Sequence, residues 1–310
     1  MKTGYINERF DLKLTKPDKN LVSYSQFSQF SKCPLSWKLS YIDKLKGRES
    51  SIHTIFGDSM HSVVQEWLRV MYTVSIKASN ELDLKAMLFA EMKENYLNAI
   101  RTMGTDFSTK EELTDFYIDG AETLLWLKRR RKHYFDPKNE ILVGTEVPLT
   151  IKIDEIHFTA YLDLVLQDKV SKKILIRDLK TSGKGWNDWT KGDDTKTAQL
   201  ILYKIFFAQQ YNIPIDDIEV EYIILKRKVN AEAMFPEKRI QRFKPAQGKP
   251  SYNKVQRKFD EFIKSCFLPD GSFNTMYNYV ARTGNNGHNC KFCEFRDKFD
   301  LCPIEGRRQL

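Results

Sequence analysis

Hydrophobic and polar positions follow two different periods along this chain, and the change from one to the other falls at Asp136-Pro137. Upstream, apolar residues recur at three- and four-residue spacing, the mark of helices with one buried face. The stretch SYSQFSQFSKCPLSWKLSYIDKL predicts a helix started by Ser23 or Ser25 with Phe27, Phe30 and Leu35 inward, interrupted at Pro34. A second helix is expected from about Ile55 to Val74, and two more over residues 81–103 and 108–134. The last of these opens with Ser108-Thr-Lys-Glu111, which reads as a capping box. Residues 1–22 read as an irregular arm.

Downstream the pattern alternates. Glu140 to Ile153 predicts a strand, and Ala160 to Gln167 with Lys173 to Leu179 predicts a hairpin across the polar segment Asp168 to Lys172. Asp193 or Asp194 caps an expected helix of eighteen residues, TKTAQLILYKIFFAQQYN, ended by Asn212-Ile-Pro214; Ile218 to Lys226 is a further strand. Helices, three strands, a helix and a strand give an α/β fold with a mixed sheet covered by helices. It reads as one integrated domain: the arm, a helical region 23–135, a core with a basic segment over 136–265, and a cysteine-bearing end over 266–310.

The hairpin carries the candidate chemistry. Asp163 and Asp178 each lie inside an apolar strand, where a carboxylate needs compensation by cations or hydrogen bonds. Lys180, two residues past Asp178, shares its face of the strand. Two carboxylates and an ammonium at one spot suit a hard divalent cation such as Mg²⁺ or Mn²⁺, with room for a phosphate oxygen and a water. The plain alternative is a hairpin with rim aspartates and a solvated lysine. His61 lies beside the apolar stripe of Val64, Leu68 and Met71, and by itself reads as a core or boundary histidine.

Composition adds a partner. The chain of 310 residues has 41% hydrophobic residues, enough for a sizeable core, and a formal charge of +9. Between Lys226 and Lys258 eleven Lys or Arg face two Glu, a local +9. Lys226, Arg227, Lys228, Arg239, Arg242 and Lys244 are therefore candidate phosphate contacts, with Phe235, Phe243 and Tyr252 as stacking surfaces for bases. A second basic run, KRRRK at residues 128–132, also suits a helix C-terminus without any ligand. With no apolar run of about eighteen residues and no apolar N-terminal signal, a soluble cytoplasmic protein is expected.

In chain order, Gly57-x-x-x-His61, Glu146, Asp163 in TAYLDLV, Asp178-Leu-Lys180-Thr181 and Gln199-x-x-x-Tyr203 resemble the RecB-type branch of the PD-(D/E)xK nucleases, from about Ser23 to Lys226. Asp178 stands where many members carry Glu. The resemblance implies a restriction-endonuclease-like core that hydrolyses DNA with Mg²⁺ or Mn²⁺, as an exonuclease on single-stranded ends; a structure-selective or flap endonuclease, or a DNA-binding recombination module without catalysis, is the alternative. It makes His61, Asp163, Asp178 and the Leu179 carbonyl metal ligands, which replaces the core reading of His61. Lys180 then positions the attacking water, Gln199 and Tyr203 contact DNA or support the site, and Glu146 is an outer group.

Five cysteines form a second constellation: Cys33, Cys266 and the run Cys290, Cys293 and Cys302. Intracellular thiols stay reduced, so a metal site is expected over a disulfide framework, and four thiolates suit either a [4Fe-4S] cluster or zinc. Zinc could take His288 as one ligand. One cysteine near the start and three near the end resemble the iron-sulfur subgroup of these nucleases, which includes AddB-type helicase-nucleases and CRISPR-associated exonucleases. That resemblance assigns Cys33, Cys290, Cys293 and Cys302 to a [4Fe-4S] cluster and leaves Cys266 an ordinary apolar residue.

Overall fold

The computed structural model of the chain describes residues 17, 20–45, 50–230, 232, 234 and 237–308. Most of the expected arm, and Phe235, lie outside them. A two-residue strand, β1 (Leu21–Val22), leads into α1 (Tyr24–Lys32), where Ser23 caps the helix by accepting from Gln26 N. Pro34 restarts the chain as the first residue of α2 (Pro34–Tyr41), a position whose N–H needs no partner. Trp37, rather than Leu35, is the residue that α2 buries most completely.

Ser51 accepts from Thr54 N, so α3 (Ile52–Thr73) begins three residues before the expected start. A short α4 (Ile76–Glu81) follows, then α5 (Leu84–Met103), capped by Asp83 and closed by Gly104 in the left-handed region at φ 75°. In α6 (Lys110–Arg129) the expected capping box is displaced by one residue. Thr109, not Ser108, accepts from the backbone, at Glu112 N, while the Ser108 hydroxyl donates to the Glu112 carboxylate over 2.5 Å.

The strands are β2 (Glu140–Ile153), β3 (Ile156–Asp168) and β4 (Ile174–Ser182). Then come α7 (Asp188–Lys191), α8 (Asp194–Tyr211), β5 (Ile218–Lys226), β6 (Ile240–Phe243), α9 (Lys249–Cys266) and the small pair β7 (Ala281–Arg282) and β8 (Arg307–Arg308). Six strands form one mixed sheet. β2 runs antiparallel along β3; on the other edge β3 carries β1 at its start and β4 at its end. β4 and β5 are parallel, joined through α7 and α8, and β6 closes the edge antiparallel to β5.

Apolar side chains fill both faces of this sheet. On one side Phe27, Trp37, Phe158, Phe206, Phe259 and Phe262 pack α1, α2, α8 and α9 against it; on the other Phe56, Met60, Trp67, Leu88 and Leu124 seat α3, α5 and α6. The result is the helix-covered mixed sheet expected from the periodicity. The parallel pair is buried from both sides, which is why IEVEYIILK carries few polar residues.

Candidate active site

The hairpin brings its two aspartates together under α3. Asp163 Oδ2 accepts from Leu179 N over 2.7 Å, which ties β3 to β4 directly beside Asp178. His61 Nδ1 from α3 stands 3.7 Å from the same Asp163 oxygen. Lys180 Nζ lies 2.6 Å from Asp178 Oδ2. His61, Asp163, Asp178 and Lys180, far apart in the chain, therefore occupy one place.

Burial sets the electrostatics. Desolvation pushes the Asp163 carboxyl up from 3.8 to about 6, opposed by Lys180 and by the Leu179 N–H and helped by Glu146. Desolvation likewise raises Asp178 to about 6, against the pull of Lys180 and with the repulsion of Asp163. Burial alone would lower Lys180, but the two carboxylates outweigh it and hold the ammonium above its ordinary value. His61 is pushed down by burial and by Lys180, which keeps the imidazole neutral and a ring nitrogen free to ligate. The site is thus a desolvated concentration of negative charge that Lys180 compensates only in part.

One atom tests whether a cation fits. Asp178 Oδ2 is buried and faces the Lys180 ammonium at 2.6 Å, with no further hydrogen-bond donor among the described residues. Two buried carboxylates that share a single ammonium keep acceptor capacity that a hard cation can take up. The donor set of two carboxylates and a neutral imidazole agrees. Among the described residues no three His, Cys, Asp or Glu side chains already stand in coordinating geometry.

Glu146 lies opposite Asp163, between the Thr145↔Leu164 and Val147↔Leu162 pairs of β2 and β3. Its φ of 51° places a non-glycine residue in the left-handed region within a strand, a conformation that costs about 1–3 kcal/mol and recurs at functional sites. Gln65 holds it: Nε2 donates to Glu146 Oε1 over 2.6 Å and to the Asp163 carbonyl over 3.1 Å. Gln65 did not stand out in the sequence. Its spacing of four from His61 on one helix was the available signal.

On the α8 side, Gln199 Nε2 donates to the Tyr203 hydroxyl over 2.9 Å, as their spacing suggested. Two tyrosines absent from the sequence reading join them. The Tyr222 hydroxyl donates to Lys196 O over 2.5 Å, and Tyr24 donates to Thr195 O. Burial raises Tyr24, Tyr203 and Tyr222, and the charge of Asp178 adds to the rise in each. Three neutral phenols thus wall the aspartates on this side.

The basic segment is less free than its composition suggests. Arg227 and Lys228 pair with Asp119, Lys226 with Glu237, Arg239 with Glu122, Lys244 with Glu219, and Arg242 with the fully buried Glu221. Carboxylates from α6 and β5 therefore offset much of the local +9. Phe243 and Tyr252 pack against the core rather than offering open rings. In the 128–132 run, Lys128 reaches Leu82 O and Arg130 covers Trp126.

Cys33, Cys290, Cys293 and Cys302 are free thiols, with Cys302 buried and the others partly so. Burial raises Cys33, with Cys293 and Cys302 adding to the rise, and raises Cys290, with Cys293, Cys33 and Cys302 adding; among the described residues no three of these thiols stand in coordinating geometry. The two ends of the chain meet here, since Cys33 Sγ accepts from Arg282 N and Asn289 Nδ2 donates to Lys32 O. Cys266 is completely buried at the end of α9 in the main core, as an apolar residue would be.

No curated protein matches the chain. The family model for the PD-(D/E)XK nuclease superfamily matches residues 21–302, which takes in His61, the hairpin with both aspartates and Lys180, α8 and all five cysteines. With nearly the whole described chain matched, the protein belongs to the PD-(D/E)XK nuclease superfamily.

Proposed function

We propose that the protein is a Mg²⁺- or Mn²⁺-dependent deoxyribonuclease of the RecB-type branch, acting as an exonuclease on single-stranded DNA ends. The observation that carries the metal requirement is the pair of buried carboxylates, Asp163 and Asp178, both pushed up to about 6 with Lys180 as a partial counter-charge and His61 Nδ1 3.7 Å from Asp163. His61, Asp163, Asp178 and the Leu179 carbonyl would hold the ion. Such an ion supplies a Lewis acid and lowers the pKa of a bound water.

The remaining work belongs to the chain. Lys180, its side chain 31% exposed and drawn to Asp178, presents a fixed ammonium at the mouth of the site, suited to orient water and to offset charge on the phosphate. The Leu179 N–H fixes the Asp163 carboxylate, and Gln65 fixes Glu146 beside it. The tyrosine wall excludes water from the far side of Asp178. We also infer, from the resemblance to the iron-sulfur subgroup, that Cys33, Cys290, Cys293 and Cys302 hold an iron-sulfur cluster; the hydrogen bonds from Arg282 N to Cys33 Sγ and from Asn289 Nδ2 to Lys32 O bring the two cysteine-bearing segments side by side.

Asp178→Ala tests the catalytic reading. It should abolish Mg²⁺-dependent cutting of linear single-stranded DNA while leaving DNA affinity nearly unchanged. Circular single-stranded DNA should survive the wild-type protein. Cutting by Asp178→Ala would refute the site, and cutting of circles would refute end dependence alone.

A further inference from the structure

Two tryptophans three residues apart follow β4, and they have opposite fates. Trp186 is buried against Tyr222 and Phe243, and Gln241 clamps its backbone, accepting from Trp186 N over 2.7 Å and donating to Trp186 O over 2.9 Å. Trp189, on α7, is 61% exposed. Its indole meets the His288 ring edge to face, with centroids 4.5 Å apart at 77°. The loop is thus held rigidly by one tryptophan while it presents the other to solvent, where the indole gains little from burial.

The Trp189 and His288 rings border a cleft of about 670 Å³ that also takes in Asn285, Asn286 and Lys291. That size is ample for a nucleoside. Asn285, Asn286 and His288 are exposed and offer both donors and acceptors. Cations connect this cleft to the aspartates. Asn289, in the cleft wall, donates to the carbonyl of Lys32; the Lys196 ammonium stands 5.0 Å over the Trp186 ring, Trp186 packs on Tyr222, and the Lys180 ammonium lies 5.9 Å over that tyrosine. Lys32 beside the cleft wall, and Lys196 and Lys180 on the Trp186–Tyr222 pair, are cations available between the cleft and Asp178.

We propose that this cleft is a base-binding subsite for single-stranded DNA, in which one unpaired base stacks on the open face of Trp189 while the backbone follows Lys32 and Lys196 to Lys180. The inference rests on the nuclease reading and specifies its substrate. A base paired inside a duplex cannot reach the indole, whereas a strand end can, and stacking tolerates any base. The rigid loop makes the indole a preorganised platform.

Binding measured by fluorescence anisotropy in EDTA separates this subsite from catalysis. The probes are a labelled oligothymidylate, the same strand with abasic sites, and a blunt duplex of equal length. Trp189→Ala should weaken oligothymidylate binding about 5- to 100-fold, while Trp189→Phe retains most of it and duplex binding is unchanged. The abasic strand should bind wild type about as weakly as Trp189→Ala binds the intact one. Equal oligothymidylate affinity for Trp189→Ala and wild type, or equal binding of abasic and intact strands by wild type, overturns the subsite and leaves the cleft to a protein partner. Wild-type cutting in Mg²⁺ reports separately: a protein that cuts but ignores Trp189 loses only the subsite, and one that binds strands through Trp189 but never cuts loses the nuclease reading.

Discussion

Asp178→Asn should make the metal-free protein more stable while destroying its activity. At pH 7.5 the wild-type carboxylate is ionised in a site that holds it at about 6, against an ordinary 3.8. Keeping that charge buried therefore disfavours folding by about 3 kcal/mol. Asparagine has nearly the same shape and no charge, and the remaining Asp163 still compensates Lys180. Allowing about 1 kcal/mol for an imperfectly paired amide, a gain of about 2 kcal/mol is expected, or about 3 °C in melting temperature for a chain of this size. The sign depends on pH: a carboxyl raised in the folded state loses its penalty as pH falls through about 6 toward its unfolded value of 3.8. The advantage of Asp178→Asn should accordingly shrink below about pH 6 and vanish near about pH 4.5, where the remaining penalty equals the cost of the amide. Saturating Mg²⁺ should reverse the order, since a ligand at a hundredfold excess over its Kd stabilises by about 2.7 kcal/mol and only the intact site binds it. Thermal unfolding in EDTA and in Mg²⁺ across this pH range checks all three statements. A variant that melts below wild type in EDTA at pH 7.5, or an identical Mg²⁺ shift in both proteins, would refute the reasoning.

Gln65→Leu should lower Mg²⁺-dependent cutting about 10- to 100-fold, because Glu146 and the Asp163 backbone lose the side chain that positions them; unchanged steady-state rates would count against that role. Arg177 bonds the buried Glu221 over 2.6 Å and also faces Glu140, but Arg242 remains on Glu221, so Arg177→Met should destabilise in urea unfolding by less than the cost of about 3 kcal/mol for a fully stranded buried carboxylate. In Gly120→Ala a Cβ would stand 2.8 Å from Leu88 and Phe56 where α6 crosses α3 and α5, which should cost about 1–3 kcal/mol with the site intact. Cys293→Ala should reduce thermal stability before activity, and equal melting temperatures with and without iron would sink the cluster assignment.

Local pattern determined much of this protein. The strand Glu140–Ile153 and the strand Ile218–Lys226 coincide with their expected ranges, and the helix after Asp193 begins where an acidic cap predicts it. Period and capping are properties of neighbouring residues, so they survive without tertiary information. The shared strand face of Asp178 and Lys180 was likewise legible from the period of two, whereas His61 joined them in the sequence only through the resemblance. The basic segment was not: the charges that neutralise Arg227 and Arg242 come from Asp119 and Glu221, 108 and 21 residues away, and only the packing of α6 and β5 brings them near. The left-handed backbone of Glu146, its tether to Gln65 and the pairing of Trp189 with His288 are of the same kind. Residues distant along the chain acquire a common surface only when the two faces of the sheet are filled, and the chemistry that depends on such surfaces was decided by the tertiary structure.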